Sequence, residues 1–227
     1  TEKELCYKVN AEAPANLAKI ASEIKATFIT YSTDFVFNGL IEGYLYNEST
    51  GYTEEDEPHP LSTYAKAKYE GELLVSQIIE NPENTSRIYI IRTSWVFGKG
   101  SMNFVEKIIE LSEEKDELKV VDDQVSSPTY SKDLAYYSWE LIKKGCESGI
   151  YHFTNDGIAS KYEEAQYILE KISWKGNLIR AKREELGLLA ERPKFSKLSC
   201  KKIKEKLGLS IPNWKDAIDR YLKENKY

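Results

Sequence analysis

The chain has 227 residues and a net charge of −5 at pH 7, with a pI near 5.4, which argues against a nucleic-acid partner because phosphate backbones need concentrated positive charge. Its hydrophobic fraction of 41% is typical of a globular protein, and no apolar run is long enough to span a membrane, so no membrane partner is expected. Three cysteines that stand far apart favour free thiols in a reducing, cytoplasmic compartment over disulfides or a metal site.

The first part of the chain predicts a helix, a strand and a long loop. Residues 3–25 carry apolar side chains three or four positions apart, which predicts a helix with a kink at Pro14. Residues 26–31 are rich in β-branched and aromatic side chains and predict a strand. Ser-Thr-Asp at 32–34 stands at its carboxyl end. Residues 38–60 contain glycines, prolines and an acidic run, which predicts a loop with its acidic side chains in solvent.

A tyrosine and a lysine one helical turn apart follow this loop. Ser62 or Thr63 predicts a helix N-cap, and the helix that follows places Tyr64 and Lys68 on one face. A neighbouring ammonium favours the phenolate, so it lowers the pKa of a tyrosine from its usual value of about 10. Such a phenol exchanges a proton more easily near neutral pH, which is what the reduction of a carbonyl group requires.

The Tyr-x-x-x-Lys spacing alone is not specific. With 16 tyrosines in the chain, about two matches are expected by chance, and the second occurs at Tyr167 and Lys171. This second pair lies in an amphipathic helix and is interpreted as an ordinary core-and-surface pair. Gly71 distinguishes the first pair, because it lies on the same helix face as Tyr64 and allows another backbone or a ligand to approach closely.

The rest of the chain alternates predicted strands with predicted helices. The strands are expected at residues 88–93, 118–122, 150–154 and 177–182, and the helices at about 103–115, 131–145, from 160, 201–207 and 214–223. This order predicts βα units and a mainly parallel sheet, whose ligands bind at the carboxyl ends of the strands. Thr33, Asp34 and Trp95 follow two neighbouring strands, and Tyr64 opens the helix between them.

Six segments of the sequence resemble motifs of the extended short-chain dehydrogenase/reductase family. They are VNAEAPANLA (9–18), YSTDFVF (31–37), EEDEPHPLSTYAKAKYEGE (54–72), IRTSWVFGKGSMNFV (91–105), VVDDQVSSPTYSKDLA (120–135) and RPKFSKLS (192–199). The resemblance implies an α/β fold, a Rossmann-like doubly wound parallel sheet with a small C-terminal α/β lobe. Residues 1–122 are expected to be the remainder of the dinucleotide-binding domain. Residues 123–227 are expected to be mostly the substrate-binding lobe, with some segments returning to the main sheet.

The resemblance also implies an enzyme, an NAD(P)H-dependent oxidoreductase. The expected reaction reduces the C4 ketone of dTDP-4-dehydro-6-deoxy-L-hexose to dTDP-L-rhamnose, with NADPH or NADH as cofactor and a nucleotide sugar as partner. Tyr64 matches the family's proton donor, and Lys68 matches the lysine that binds the nicotinamide ribose. Thr33 matches the hydroxyl residue that hydrogen-bonds the substrate carbonyl. A cytoplasmic homodimer is expected.

Other positions match binding residues of the family: Tyr31 and Thr93 for the cofactor, Asp34 and Trp95 for the sugar nucleotide, and Asn10 for an ordered water that relays protons. The chain departs from the family at Phe35, where tyrosine is usual, and at Ser126, where glycine is usual. No glycine-rich dinucleotide fingerprint follows any strand, and by analogy about 70 residues that hold it are expected before Thr1.

Two alternatives stay open on the sequence. One is a non-catalytic regulatory subunit on the same fold, as the regulatory β subunit of methionine adenosyltransferase resembles this family. The other is a reductase or epimerase for a different nucleotide sugar. Retention of Tyr64, Lys68 and Thr33 favours an enzyme, because a chain without catalysis is free to lose its proton donor.

Overall fold

The structure, a computed structural model, describes residues 1–40, 51–100, 102–187 and 190–227. Within these ranges the main sheet has three parallel strands in the order β1-β2-β7. They are β1 (Phe28–Thr33), β2 (Ile88–Thr93) and β7 (Gly149–His152). The central strand, β2, is buried along its whole length, as its nearly continuous apolar run requires. Thr33 pairs with Thr93, so the carboxyl ends of β1 and β2 meet at one edge.

Helices cover both faces of this sheet. The first face carries α1 (Glu2–Tyr7), a π-helical turn (Lys8–Glu12), α2 (Ala13–Glu23) and α3 (Thr63–Glu80), and the second carries α5 (Ser131–Lys143) and α7 (Lys201–Leu207). Val75 of α3 packs on Ile88 and Ile90, whereas α5 and α7 pack on Tyr89 and Ile91. Because successive side chains of β2 point to opposite faces, both faces of the sheet are buried, and the predicted doubly wound arrangement is confirmed.

A smaller lobe is built around the parallel strands β4 (Glu117–Val121) and β9 (Asn177–Ala181). One apolar cluster joins it to α4 (Phe104–Glu114), α6 (Lys161–Lys171) and α8 (Trp214–Asn225). Short strands pair near the edge of the site, β3 (Val96–Phe97) with β6 (Thr129–Tyr130) in parallel and β5 (Val125–Ser126) with β8 (Ala159–Ser160) antiparallel. Two short 3₁₀ turns complete the described elements, at Asp34–Val36 and Arg183–Leu186. The segment between β2 and α4 therefore contains a short strand, which the sequence pattern does not predict.

Most predicted boundaries agree with the structure to within two residues. The strand at 88–93 is confirmed, and α3 ends at Glu80, before the helix-breaking Pro82. The first strand lies two residues later than predicted, at Phe28–Thr33 rather than 26–31. Thr33 is therefore the last residue of β1, and its backbone is held by pairing with Thr93.

The predicted kink at Pro14 takes the form of the π-helical turn Lys8–Glu12, immediately before α2. Proline has no N–H to donate to the carbonyl four residues earlier, which belongs to Asn10, so regular α-helical bonding fails at this point. The Asn10 carbonyl oxygen instead lies 2.4 Å from where a Cβ of Gly71 would be. The close approach that Gly71 was predicted to allow is thus confirmed.

The apolar positions that predicted the first helix are not its most buried ones. Val9, Leu17 and Ile20 are each more than half exposed, whereas Ala18 and Ala21 are buried. Alanines on the buried face let α2 lie close to α3, and the larger side chains face outwards. Among the described residues, no helix is long and apolar enough to cross a membrane.

The loop predicted at 38–60 is only partly described, because residues 41–50 lie outside the described ranges. Its acidic run was expected in solvent, and that expectation is wrong for Glu54. The Glu54 carboxylate accepts a hydrogen bond from the backbone N–H of His152, at 2.8 Å, and burial raises its pKa. Tyr52 is also buried and forms a bridge with Leu198. This part of the loop therefore packs on the sheet instead of extending into solvent.

Candidate active site

The predicted catalytic side chains come together where β1 and β2 end. Thr33 is the last residue of β1, and Tyr64 lies in the first turn of α3. The N-cap of α3 is Ser62, whose hydroxyl accepts a hydrogen bond from the Ala65 N–H at 3.2 Å. This cap fixes where the helix begins, and therefore sets the height of the Tyr64 ring above the sheet edge.

The Tyr64 phenol stands beside Thr33 and the carboxylate of Asp34. Its side chain is 43% exposed, so the ring is open to a ligand on one side. Burial of the remainder and the charge of Asp34 raise the pKa of Tyr64, whereas a hydrogen bond with Thr33 lowers it. The net increase keeps the phenol protonated at neutral pH, which is the form that a proton donor needs.

Lys68 reaches from α3 to β1. Its Nζ donates a hydrogen bond to the backbone carbonyl of Tyr31 at 2.5 Å, and burial lowers its pKa. The Tyr31 ring is 41% exposed, and its hydroxyl lies 3.1 Å from Ser138 Oγ on α5. The expected lowering of the Tyr64 pKa is wrong for this structure, because the Lys68 ammonium is held by the Tyr31 carbonyl and burial dominates at the phenol.

Asp34 is 2% exposed and lies in a cluster of hydroxyl groups. Ser196 and Ser126 approach its Oδ2 at 2.5 and 3.1 Å, and Thr33 donates to its Oδ1 at 3.2 Å. Burial raises the pKa of Asp34 to about 6, although these hydrogen bonds oppose the increase. Ser126, the departure from the family's glycine, is one of the donors. The contact of Asp34 with a substrate stays a prediction.

A buried ion pair fixes α3 to the middle of the sheet. Arg92 on β2 bonds Glu72 on α3 through Nε at 3.1 Å and Nη2 at 2.7 Å, and both side chains are at most 3% exposed. Arg92 Nη1 lies 3.3 Å from Nε2 of the buried His152, whose pKa burial and Arg92 lower well below its usual value. Loss of either partner would leave a buried charge, so this pair resists movement of α3 relative to the strand ends.

Two other predicted residues lie on elements next to those that carry this centre. Asn10 lies in the π-helical turn, and its Nδ2 donates to the Cys6 carbonyl at 3.0 Å. The Cys6 thiol is close enough to raise the pKa of Tyr64 slightly. Trp95 follows β2 with a left-handed backbone, φ +44°, which is unusual for a residue other than glycine. Their roles with water and substrate stay predictions.

Sequence reasoning did not identify Glu72, Arg92, Lys161 or Ser196. Arg92 carried a signal, because a single charge within an otherwise buried strand usually has a buried partner. Glu72 carried another, because it lies one turn beyond Lys68 on the same face of α3. Ser196 lies in the segment RPKFSKLS but carries no separate signal, and nothing local in the sequence indicates that Lys161 contacts Trp95.

The strand ends also contain buried polar atoms that suit a bound ligand. Within the described part of the chain, the hydroxyl oxygens of Ser32 and Thr93 are buried and have no hydrogen-bond partner. Unpaired buried hydroxyls cost free energy unless a ligand or water satisfies them. Together with the exposed faces of Tyr31 and Tyr64, these groups fit a nicotinamide and its ribose. The described residues contain no group of three or more His, Cys, Asp or Glu placed to hold a metal ion.

Known proteins match this chain over nearly its whole length. Residues 1–227 match the family described as the RmlD substrate binding domain. The spore coat polysaccharide biosynthesis protein SpsK of Bacillus subtilis is 39% identical over 225 residues, which cover 98% of this chain and 74% of that protein. The dTDP-4-dehydrorhamnose reductase of Sinorhizobium fredii is 32% identical over 226 residues, which cover 94% and 71%.

The fold is also shared with a solved reductase. The crystal structure of dTDP-4-dehydrorhamnose reductase from Bacillus anthracis, in complex with NADP, superimposes with a TM-score of 0.88 at 34% identity. The alignment covers 98% of this chain and 74% of that one. The chain therefore spans about three quarters of the length of these proteins.

Proposed function

Because this chain belongs to the RmlD substrate-binding domain family, we propose that it reduces the C4 ketone of dTDP-4-dehydro-6-deoxy-L-hexose to dTDP-L-rhamnose with NADPH or NADH. The observation that carries the proposal is the meeting of Tyr64, Thr33 and Lys68 at the ends of β1 and β2. Tyr64 supplies a proton donor, Thr33 a hydroxyl for the carbonyl oxygen and Lys68 a cation, and the three lie close together. This is the set of groups that carbonyl reduction needs.

Tyr64 acts as the general acid. Its phenol is protonated at neutral pH, as an ordinary tyrosine is, and burial and Asp34 raise its pKa further; its exposed side faces the ligand. When bound, the reduced nicotinamide supplies the hydride that the carbonyl carbon receives. The ketone oxygen gains negative charge as this happens, and Tyr64 gives it a proton to form the C4 hydroxyl. A proton relayed from solvent restores the phenol, and Asn10 lies near this side.

Thr33 orients the reacting oxygen. Its hydroxyl lies between the Tyr64 phenol and Asp34 Oδ1, so its position is determined by a neighbour on each side. The hydroxyl oxygen is thus held in place, and its single proton, which is donated to Asp34 in this structure, turns towards the ketone oxygen as negative charge develops there. Asp34 and Trp95 complete the substrate side of the proposed site.

The cofactor is proposed to lie along the strand ends. Tyr31, Tyr64, Lys68 and Thr93 would hold it, since Lys68 stands next to the exposed Tyr31 and Thr93 has a free buried hydroxyl. We propose that residues 1–122 belong to the dinucleotide-binding domain and residues 123–227 mostly to the substrate-binding lobe. The division is supported by β7 and α7, which return to the main sheet from the second part.

A cytoplasmic location and a homodimer are also proposed. Cys6, Cys146 and Cys200 are all unpaired thiols, which suits a reducing compartment. Tyr136 and Trp139 on α5 are 51% and 60% exposed, and exposed aromatic side chains are enriched at protein interfaces. Cell fractionation checks the location. Light scattering after gel filtration checks the dimer, and a monomer at micromolar concentration would contradict it.

The decisive test is turnover by the full-length protein. We expect NADPH oxidation to depend on added dTDP-4-dehydro-6-deoxy-L-hexose and to yield dTDP-L-rhamnose. A panel of 4-keto sugars linked to other nucleotides provides the specificity control, and equal turnover of unrelated bases would contradict the deoxythymidine assignment. Binding of cofactor and nucleotide sugar without turnover would favour a regulatory subunit instead.

A further inference from the structure

The ammonium group of Lys161 is enclosed by two aromatic rings and a carboxylate. Its Nζ lies 3.6 Å from the centroid of the Trp95 ring and 4.1 Å from that of Phe104. The Glu164 Oε2 atom accepts a hydrogen bond from it at 2.8 Å. The lysine side chain is only 15% exposed, and that of Glu164 is 1% exposed. A cation in this position is attracted to both ring faces and is partly removed from water.

This arrangement is held from within the smaller lobe. Lys161 is the first residue of α6, whose capping box joins Ser160 and Glu163 and fixes the start of the helix. Burial lowers the pKa of Lys161, and Glu164 counteracts that decrease. Glu164 Oε1 has no hydrogen-bond partner in the described part of the chain. The buried carboxylate therefore depends on Lys161 for its charge partner.

Trp95 needs such support because of its backbone. The left-handed region is strained for a residue that has a side chain, and such strain persists only where the surroundings hold the residue in place. The Trp95 carbonyl accepts a hydrogen bond from the Thr129 N–H at 3.2 Å, which secures the backbone. The indole ring is secured by Lys161, since the two lie in direct contact. The charge of Asp34 also acts on Lys161, so this contact lies near the proposed active site.

We propose that Lys161, paired with Glu164, is a positioning residue that holds Trp95 in place for the nucleotide sugar and thereby sets substrate affinity. The ammonium group contacts a carboxylate and two rings, so it acts through Trp95 rather than by binding the substrate itself. The inference rests on the proposed function, which places Trp95 on the substrate side. It assigns Lys161 no part in proton transfer.

The test compares variants of the full-length protein. Lys161→Met removes the charge and keeps the length of the stem, and Lys161→Arg keeps a cation. The double variant Lys161→Met with Glu164→Gln also removes the unpaired buried carboxylate, so a result is obtained even if Lys161→Met alone folds poorly. Lys171→Met is the matched control, because Lys171 lies on the same helix and also stands over a ring, that of Tyr167, at 4.9 Å.

Two measurements are made on each variant. The first is the dissociation constant for dTDP-L-rhamnose by calorimetry, together with KM and kcat. The second is acrylamide quenching of tryptophan fluorescence, repeated in a Trp95→Phe background to isolate Trp95 from the other tryptophans. We expect the double variant to weaken binding and raise KM about five- to tenfold, with kcat changed less than about twofold. Quenching should increase, and the increase should vanish in the Trp95→Phe background.

Lys161→Arg should retain most of the affinity, and Lys171→Met should change neither measurement. Unchanged binding and unchanged quenching in the double variant would overturn the inference, as would an equal effect of Lys171→Met. A fall in kcat with KM unchanged would assign Lys161 to the chemistry and would also overturn it. The quenching experiment needs no ligand, so it decides whether Lys161 holds Trp95 even if the wild-type protein shows no turnover. Absence of turnover in the wild-type protein would contradict the proposed function, whatever the quenching experiment shows about Lys161.

Discussion

Two tyrosine–lysine pairs with the same spacing occupy different surroundings in this molecule. On α3, Tyr64 stands beside Thr33 at the sheet edge, and Lys68 donates to the backbone of β1. On α6, Tyr167 and Lys171 both bind the carboxylate of one residue, Asp219. The sequence spacing is identical, so the difference arises entirely from what the fold places around each helix.

We call the pair on α6, Tyr167 and Lys171, the closed pair, because both side chains bond to the same carboxylate. The Tyr167 hydroxyl lies 3.0 Å from both Asp219 oxygens, and Lys171 lies 2.8 Å from Asp219 Oδ1. The Tyr167 ring packs edge-on against Trp214. Each polar group has its partner, which leaves no proton donor directed at a ligand. The interpretation of this pair as an ordinary core-and-surface pair is confirmed.

We call the pair on α3, Tyr64 and Lys68, the open pair, because its tyrosine is accessible to a ligand. The Tyr64 ring is 43% exposed, and no carboxylate bonds Lys68 within the described residues. Asp34, the carboxylate nearest Tyr64, is buried and bonded to hydroxyls instead. A catalytic spacing therefore becomes a site where the neighbouring elements leave the tyrosine open to a ligand and bind no carboxylate to the lysine. Four predictions test this conclusion.

The largest expected effect is on turnover. Tyr64→Phe removes the proposed proton donor and keeps the ring, so kcat should fall at least about 100-fold, the usual size of general-acid effects. Cofactor affinity should change little, because the ring and Lys68 remain. Steady-state kinetics with NADPH measure kcat, and fluorescence titration measures the affinity for the cofactor. Tyr167→Phe is the matched control with unchanged kcat, and unchanged turnover in Tyr64→Phe would remove Tyr64 from the mechanism.

The second prediction concerns the pH dependence of stability. Asp34 has a pKa raised from 3.8 to about 6, so its protonated form is favoured by folding, and this contribution is lost as the pH rises through 6. Asp34→Asn cannot titrate. The free energy of unfolding of this variant relative to wild type should therefore increase between about pH 4 and pH 7, by up to about 3 kcal/mol. Urea denaturation at several pH values measures it, and a difference independent of pH would contradict the burial of a charged Asp34.

The third prediction separates the two lysines. Lys68→Ala should weaken NADPH binding and reduce kcat, each by about tenfold, because one charge-assisted hydrogen bond is lost in a partly buried place. Lys171→Ala, on the surface of α6, should leave both unchanged. Titration with NADPH and steady-state kinetics check the two quantities separately. Normal binding and turnover in Lys68→Ala would show that the open pair has no role in the cofactor site.

The smallest expected effect is on the closed pair itself. Tyr167→Phe keeps the packing against Trp214 and removes only the partly exposed hydrogen bonds to Asp219, so the free energy of unfolding should fall by at most about 1 kcal/mol. Thermal and urea denaturation measure this change. A loss of activity in Tyr167→Phe, rather than a small loss of stability, would mean that the closed pair contributes to the site and that the comparison is wrong.

Much of the fold could be predicted because its signals are local. The N-cap at Ser62, the capping box at Ser160 and the buried run of β2 each depend on residues a few positions apart. The short strands β3, β5, β6 and β8 could not be predicted, because two residues carry no periodicity and their pairing is decided by distant partners. The apolar side chains of α2 did not identify its buried face for a related reason. Their spacing predicts a helix, but it does not predict which neighbouring element the helix packs against.

The sequence by itself determined the α/β class with a mainly parallel sheet and the position of Tyr64 and Lys68 on one helix face, and its resemblance to a known family implied the doubly wound arrangement. These follow from periodicity, caps and ordered motifs, which act over a single turn or strand. Only the tertiary structure decided that Lys68 bonds Tyr31, that hydroxyls from three separate segments surround Asp34, and that Lys161 holds Trp95. The burial of a side chain and the charges around it depend on elements that lie far apart in the chain. A local sequence pattern therefore cannot predict them.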